Sequence, residues 1–127
     1  MNELPTPTPR ELEILKILWE QGPSSVRVVH RQMLLREPEL AYNTVQTMLR
    51  LMEEVKGLVR HELVGRTFVY TALFTRDEST ARFLDRVFDG AAAQLVQSLL
   101  RDERISAKEL DLMQAMIARA RRKGGRR

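Results

Sequence analysis

Hydrophobic positions recur along this chain with two different periods. Leu12, Leu15, Leu18 and Trp19 fall at helical spacing, and Ile14 and Ile17 widen the same apolar face. Thr8 is a ready N-cap, Pro9 suits the first helical position, and Glu11 completes a capping box. Gly22 and Pro23 stop this first helix. Ser24 or Ser25 then caps a second helix, "VRVVHRQMLLRE", with Val26, Val29 and Met33 as its stripe, His30 beside it, and Pro38 at its end. A third helix opens in "AYNTVQTMLR" and runs to about Lys56, with Gly57 as its stop. Its Val45, Met48, Leu49 and Met52 follow the i, i+3, i+4, i+7 rule and face inward. The period then switches to two. "LVRHELVGRTFVYTALF" alternates apolar and polar residues on both sides of Gly65, the pattern of a β-hairpin.

From Asp77 the helical period returns three times. "DESTARFLDRVFDG" opens with carboxylates, which suit a helix N-terminus, and stripes Phe83, Leu84, Val87 and Phe88. "AAAQLVQSLLRD" aligns Ala92, Leu95, Val96, Leu99 and Leu100. "SAKELDLMQAMIARARRK" begins with a capping box from Ser106 to Glu109 and aligns Leu110, Met113 and Ile117, with Leu112 and Met116 broadening the face.

Three helices closed by a hairpin are the layout of a winged helix-turn-helix domain. The expected fold is mostly α with a small β-hairpin. It comprises a winged-helix DNA-binding domain over residues 1–76, a helical dimerisation region over 77–120 and a basic, disordered tail over 121–127. About 50 residues are marginal for an independent core. The economical solution is that the C-terminal helices pack against a second copy through Phe83, Leu84, Val87, Phe88, Leu95, Val96, Leu99, Leu110, Met113 and Ile117.

Composition narrows the class. Hydrophobic residues make up 43% and charged residues 30%, an ordinary globular balance. The absence of cysteine excludes a disulfide framework or a thiolate metal site. The first residues lack a basic n-region and are broken by acids and prolines, so they do not read as a signal peptide. No apolar run approaches the roughly 20 residues of a membrane span. The expectation is a cytoplasmic protein without membrane insertion.

The net charge of +4 is less informative than it looks. Six of the 21 basic residues lie in "RARRKGGRR" at the end, so the rest carries 15 basic against 17 acidic residues, a net charge of −2. The distribution must therefore carry any case for nucleic acid. Lys56, Arg60, Arg66 and Arg76 against Glu62 alone form a second basic stretch.

The third helix holds the candidate chemistry. Opposite its apolar stripe lie Asn43, Gln46, Thr47 and Arg50, again at i, i+3, i+4, i+7, with Thr44 beside them and no carboxylate before Glu53. Amides suit adenine, a guanidinium suits guanine, and a threonine suits a thymine methyl. Tyr42, Asn43 and Thr44 sit at the helix N-terminus, where backbone N–H groups favour a phosphate. Arg66 follows Gly65 at the hairpin tip, within reach of a phosphate or minor groove. Lys56, Arg60 and Ser25 complete a set of backbone contacts. Without the third helix, a charged hairpin would read equally well as an edge protected against strand pairing.

Catalytic chemistry finds no support. His30 and His61 lie on separate elements without metal-ligand spacing and read as satisfied, half-buried histidines. Glu53 and Glu54 are adjacent and point apart, so they are no acid/base pair. No phosphate-binding glycine loop, nucleophile elbow or zinc-helix motif is present. No cofactor and no metal are expected, and the protein does not read as an enzyme.

"PTPRELEILKILWEQGPSSVRVVHRQM" followed by "AYNTVQTMLRLMEEVKGLVRHELVGRTFVYTA" resembles the bacterial β-lactamase (penicillinase) repressor family, which includes the methicillin-resistance regulator and copper-responsive repressors. The resemblance spans roughly Thr8 to Ala120 and implies a dimeric winged-helix repressor on a palindromic operator. It places Tyr42, Asn43, Thr44, Thr47 and Arg50 on the recognition helix and Arg66 at the wing tip. In the β-lactamase branch, repression ends when a membrane sensor's signal leads to cleavage in the C-terminal helices, which implies a sensor-linked protease as a further partner. Two departures stand out. "LMEEVKG" holds one residue more than the family pattern, at Val55, and the copper-responsive branch's cysteine pair is absent.

The expected function is a sequence-specific transcriptional repressor, a homodimer on a double-stranded DNA operator, released by a signal-dependent event. The alternative is a winged-helix protein-interaction module that does not bind DNA specifically.

Overall fold

The computed structural model describes residues 6–124. It falls into two compact units, Met1–Thr80 and Ala81–Arg127. The first contains α1 (Pro9–Gln21), β1 (Ser24–Ser25), α2 (Val26–Met33), α3 (Tyr42–Glu54), β2 (Val59–Val64) and β3 (Thr67–Ala72). α4 (Arg76–Phe88) starts there and crosses into the second unit, which holds α5 (Ala92–Arg101) and α6 (Ala107–Gly124). The winged-helix expectation is met, with mostly helical structure and one small antiparallel sheet.

That sheet has three strands, in the order β1-β3-β2, rather than the two of the expected hairpin. The added strand is the cap region of α2, where Ser24 pairs with Tyr70 and Ser25 with Val69. Two polar residues are too few to show a period of two. β2 and β3 pair from Val59↔Ala72 to Val64↔Thr67, which leaves a two-residue turn of Gly65 and Arg66. Gly65 takes φ +65°, the conformation that such a turn demands at its first position.

One core organises the first unit. Ile14, Leu15 and Leu18 of α1 meet Val29 and Met33 of α2, Val45, Leu49 and Met52 of α3, and Leu58, Val59, Tyr70 and Phe74 from the sheet side. Ile14 lies at its centre, fully buried, whereas Leu12 is only partly covered. Trp19 Nε1 donates to the Phe74 carbonyl at 2.9 Å, and the two rings meet edge to face, which ties α1 to the segment between β3 and α4.

Local chemistry sets the helix ends. The Thr8–Glu11 capping box forms in both directions. Ser25 is the cap of α2, its Oγ accepting the Val28 N–H. α2 stops at Met33, five residues before Pro38; a turn bonded to the Met33 carbonyl closes it, and Leu35 stands out at 79% exposure. α3 stops at Glu54, slightly short of Lys56. The Lys56 N–H reaches back five residues to Leu51 O, a widened turn. Val55 points outward there at 72% exposure, and Gly57 at φ +64° redirects the chain so that Leu58 N bonds Met52 O.

In the second unit, α5 and α6 bury no residue, and neither does α4 that leads into it. Phe83 and Phe88 contact each other edge to face at 6.0 Å. The Ser106–Glu109 capping box opens α6 as the spacing predicts. α6 then continues to Gly124, into the segment expected to be a basic tail. Alanine, arginine and lysine are strong helix formers, and Arg121, Arg122 and Lys123 oppose the negative end of the helix dipole. The remainder of the basic tail, residues 125–127, lies outside the described residues.

Candidate nucleic-acid interface

α3 is anchored from behind. Val45, Leu49 and Met52 are buried, which leaves Asn43, Gln46, Thr47 and Arg50 exposed together on the opposite face. Thr44 is half-buried beside them. Burying a hydrophobic stripe offsets the weak helix propensity of Tyr42, Asn43, Thr44 and Thr47.

The N-terminus of α3 differs from those of α1 and α2. Its N-cap is Ala41, which offers no side-chain acceptor, and no acidic residue lies in its first turn. Ala41 nevertheless has the extended backbone of a cap, φ −78° and ψ 146°. The Thr44 N–H bonds the Ala41 carbonyl at 3.1 Å, but no side chain caps the turn, so the positive end of its dipole is not offset by a local carboxylate. Tyr42 flanks this end, its ring edge to face with His30 at 5.6 Å. His30 Nε2 donates to Leu40 O at 2.7 Å, so this half-buried histidine is satisfied and braces the turn that delivers α3.

The wing meets α3 across an open cleft of about 530 Å³. Ser25, Val26 and Arg27 form one side, Tyr42 and Gln46 the floor, and Arg66, Thr67 and Phe68 the wing side. Four of the expected contact residues, Ser25, Tyr42, Gln46 and Arg66, are thus brought together. Ser25 Oγ accepts from the Val28 N–H, and its own O–H remains available to donate.

The other expected residues are placed differently. Arg50 is exposed and pairs with Glu54 at 3.3 Å, one turn along the helix. Arg60 is exposed on β2, opposite Thr71. Lys56 is not with the set at all. Its Nζ lies 2.8 Å from Glu11 Oε1, in a largely buried pair that joins α3 to the first turn of α1. His61 is exposed rather than half-buried, with its ring nitrogen bonded to Glu53.

Sequence reasoning missed Arg27. It stands exposed at the second position of α2, a place that favours carboxylates, and no ion pair holds it among the described residues. That mismatch was the available signal. Phe68 was missed because alternation marks it as a strand residue without saying that it is 49% exposed. The described residues contain no group of three or more potential metal ligands.

Comparison with known proteins places the chain in a family. The penicillinase repressor family pattern matches residues 7–119. A penicillinase repressor of Bacillus licheniformis is 29% identical over 116 residues, covering 87% of this chain and 88% of that protein. Among the described residues, no helix is long and apolar enough to cross a membrane. The chain belongs to the penicillinase repressor family, whose members are transcriptional regulators and not enzymes.

Proposed function

We propose that this protein represses transcription by binding a palindromic DNA operator as a homodimer, with α3 of each chain in a major groove. The observation that carries this reading is the outer face of α3, where amides, hydroxyls and a guanidinium stand exposed above an uncapped N-terminus. Asn43, Gln46, Thr47 and Arg50 read base edges, and the first turn at Tyr42, Asn43 and Thr44 takes a phosphate. Arg66, Arg60, Ser25 and Arg27 hold the flanking backbone. Lys56 is left out because Glu11 already engages it.

The apolar faces of residues 83–117 join two copies, including Phe83, Val87, Leu99 and Ile117, which are exposed in the single chain. Two-fold symmetry then imposes a palindrome with half-sites about 34–36 Å apart, or a multiple of that distance. Release follows a signal-dependent event, with cleavage in the C-terminal helices by a sensor-linked protease as the route suggested by the family.

A gel shift on a palindrome upstream of the protein's own gene or its neighbours tests this reading. Specific, salt-sensitive retardation is expected, and Arg50→Ala should lower the specific-to-nonspecific ratio. An unchanged ratio would remove α3 from its role, and no duplex binding at all would leave the protein-interaction module.

A further inference from the structure

One carboxylate joins the last turn of α3 to the first strand of the wing. Glu53 Oε2 accepts the backbone N–H of His61 at 3.2 Å, and Oε1 accepts from His61 Nδ1 at 2.6 Å. Because a carboxylate oxygen only accepts, Nδ1 carries the proton. The imidazole then lies against two rings of β3, with centroids 4.5 Å from Phe68 and 5.6 Å from Tyr70. Tyr70 is buried in the core, whereas Phe68 lines the cleft beside Arg66 and opposite Tyr42 and Gln46.

Beyond the pairing of β1 with Tyr70 and Val69, the wing has little else to hold it. Along β2 only Val59 is buried, and the following five residues are exposed. Leu63 and Val64 are more than half exposed, so they give the outer hairpin little apolar cover. β1 pairs only with Val69 and Tyr70, so the hairpin beyond them is a two-stranded ribbon, which is marginal by itself. A doubly bonded carboxylate at its base, relayed through a stacked imidazole to Phe68, is a mechanical connection between the recognition helix and the wing wall.

We infer that Glu53 and His61 are positioning residues for the wing, fixing Arg66 and Phe68 opposite the N-terminal half of α3. Neither residue touches DNA in this arrangement. The consequence for affinity rests on the DNA-binding reading, but the brace itself does not. Charge and bracing make opposite predictions. Removing the Glu53 carboxylate takes a negative charge away from a phosphate-binding surface, which alone would tighten binding. Removing a brace loosens it.

The test uses the full chain and the variants Glu53→Ala, Glu53→Gln, Arg66→Ala and the Glu53→Ala/Arg66→Ala pair. Without DNA, amide exchange across residues 60–68 should quicken about tenfold in Glu53→Ala, while Val45 to Met52 keep their protection. Glu53→Gln, which can still accept from the His61 N–H, should restore part of it. On duplex DNA, Glu53→Ala should weaken binding, and the pair should bind no more weakly than Arg66→Ala alone.

Unchanged wing exchange in both Glu53 variants would overturn the brace, whatever happens with DNA. Strictly additive losses, or tighter binding by Glu53→Ala, would overturn its action through the wing. If the unaltered protein bound no duplex, the DNA-binding reading would fall, and exchange alone would decide the brace.

Discussion

The Lys56 ammonium sits 2.8 Å from the Glu11 carboxylate and thereby joins the turn after α3 to the first turn of α1. Burial alone would raise the Glu11 pKa, but the bond from Lys56 and those from Thr8 outweigh it and hold the carboxyl below its ordinary value. A carboxyl with a depressed pKa contributes its full stability above the unfolded-state value, about 4.3, and loses it as pH falls through the lower folded-state value. Acid unfolding should therefore draw on Glu11 below about pH 4.3, and Glu11→Gln should flatten that limb of the stability curve. Lys56→Ala should cost about 1–3 kcal/mol in urea unfolding, because it strands a part-buried carboxylate, while leaving the salt slope of DNA binding unchanged.

Ala41 occupies a cap position with the right backbone and the wrong side chain. Ala41→Ser and Ala41→Asp should each stabilise the protein by about 0.5–2 kcal/mol in denaturant unfolding. Their DNA affinities should diverge. Aspartate places a negative charge where a phosphate is proposed to sit, so Ala41→Asp should be the more stable yet weaker binder.

In the proposed complex, Arg50 must leave Glu54 to reach a base. The pair is exposed on both sides and costs only about 0.2–0.5 kcal/mol to break. Glu54→Gln should tighten operator binding about twofold by fluorescence anisotropy, and Arg50→Ala should abolish that gain.

Arg27 and Arg66 face each other across the cleft on different elements. Each alanine variant should reduce the slope of log affinity against log salt by about one, evenly across sequences. A loss confined to one operator would make either residue a base reader instead.

The proposed dimer can be tested without DNA. Ile117→Glu puts a carboxylate on the apolar stripe of α6, where Ile117 is 55% exposed in the single chain. Native mass spectrometry of the unaltered protein should give twice the chain mass at micromolar concentration, and the variant should give the single-chain mass.

The elements were legible where the period was long and the caps were explicit. Leu15, Leu18, Val45, Leu49 and Met52 lie in the core that their spacing predicts, and Thr8 and Ser106 cap as expected. The outer face of α3 was legible for the same reason, since an inward stripe fixes what lies opposite it. Legibility failed where a contact joined residues distant in sequence. Nothing in the spacing links Lys56 to Glu11, 45 residues away, or Ser24 to Tyr70. Lys56 read as a phosphate ligand because a surface cation and an ion-paired one look alike in one dimension. Arg27 was overlooked because the apolar stripe of α2 drew the reading to Val26, Val29 and Met33.

The absence of buried residues in α4, α5 and α6 bears, through the proposed dimer, on how the amount of protein would act as an input in its own right. If these helices are covered only by a second copy, the fraction of paired chains rises with total concentration by mass action. Near the dissociation constant, halving the chains would remove more than half of the pairs able to grip both half-sites. Modest proteolysis or dilution would then relieve repression more sharply than it removes protein, with no ligand pocket needed to set the threshold.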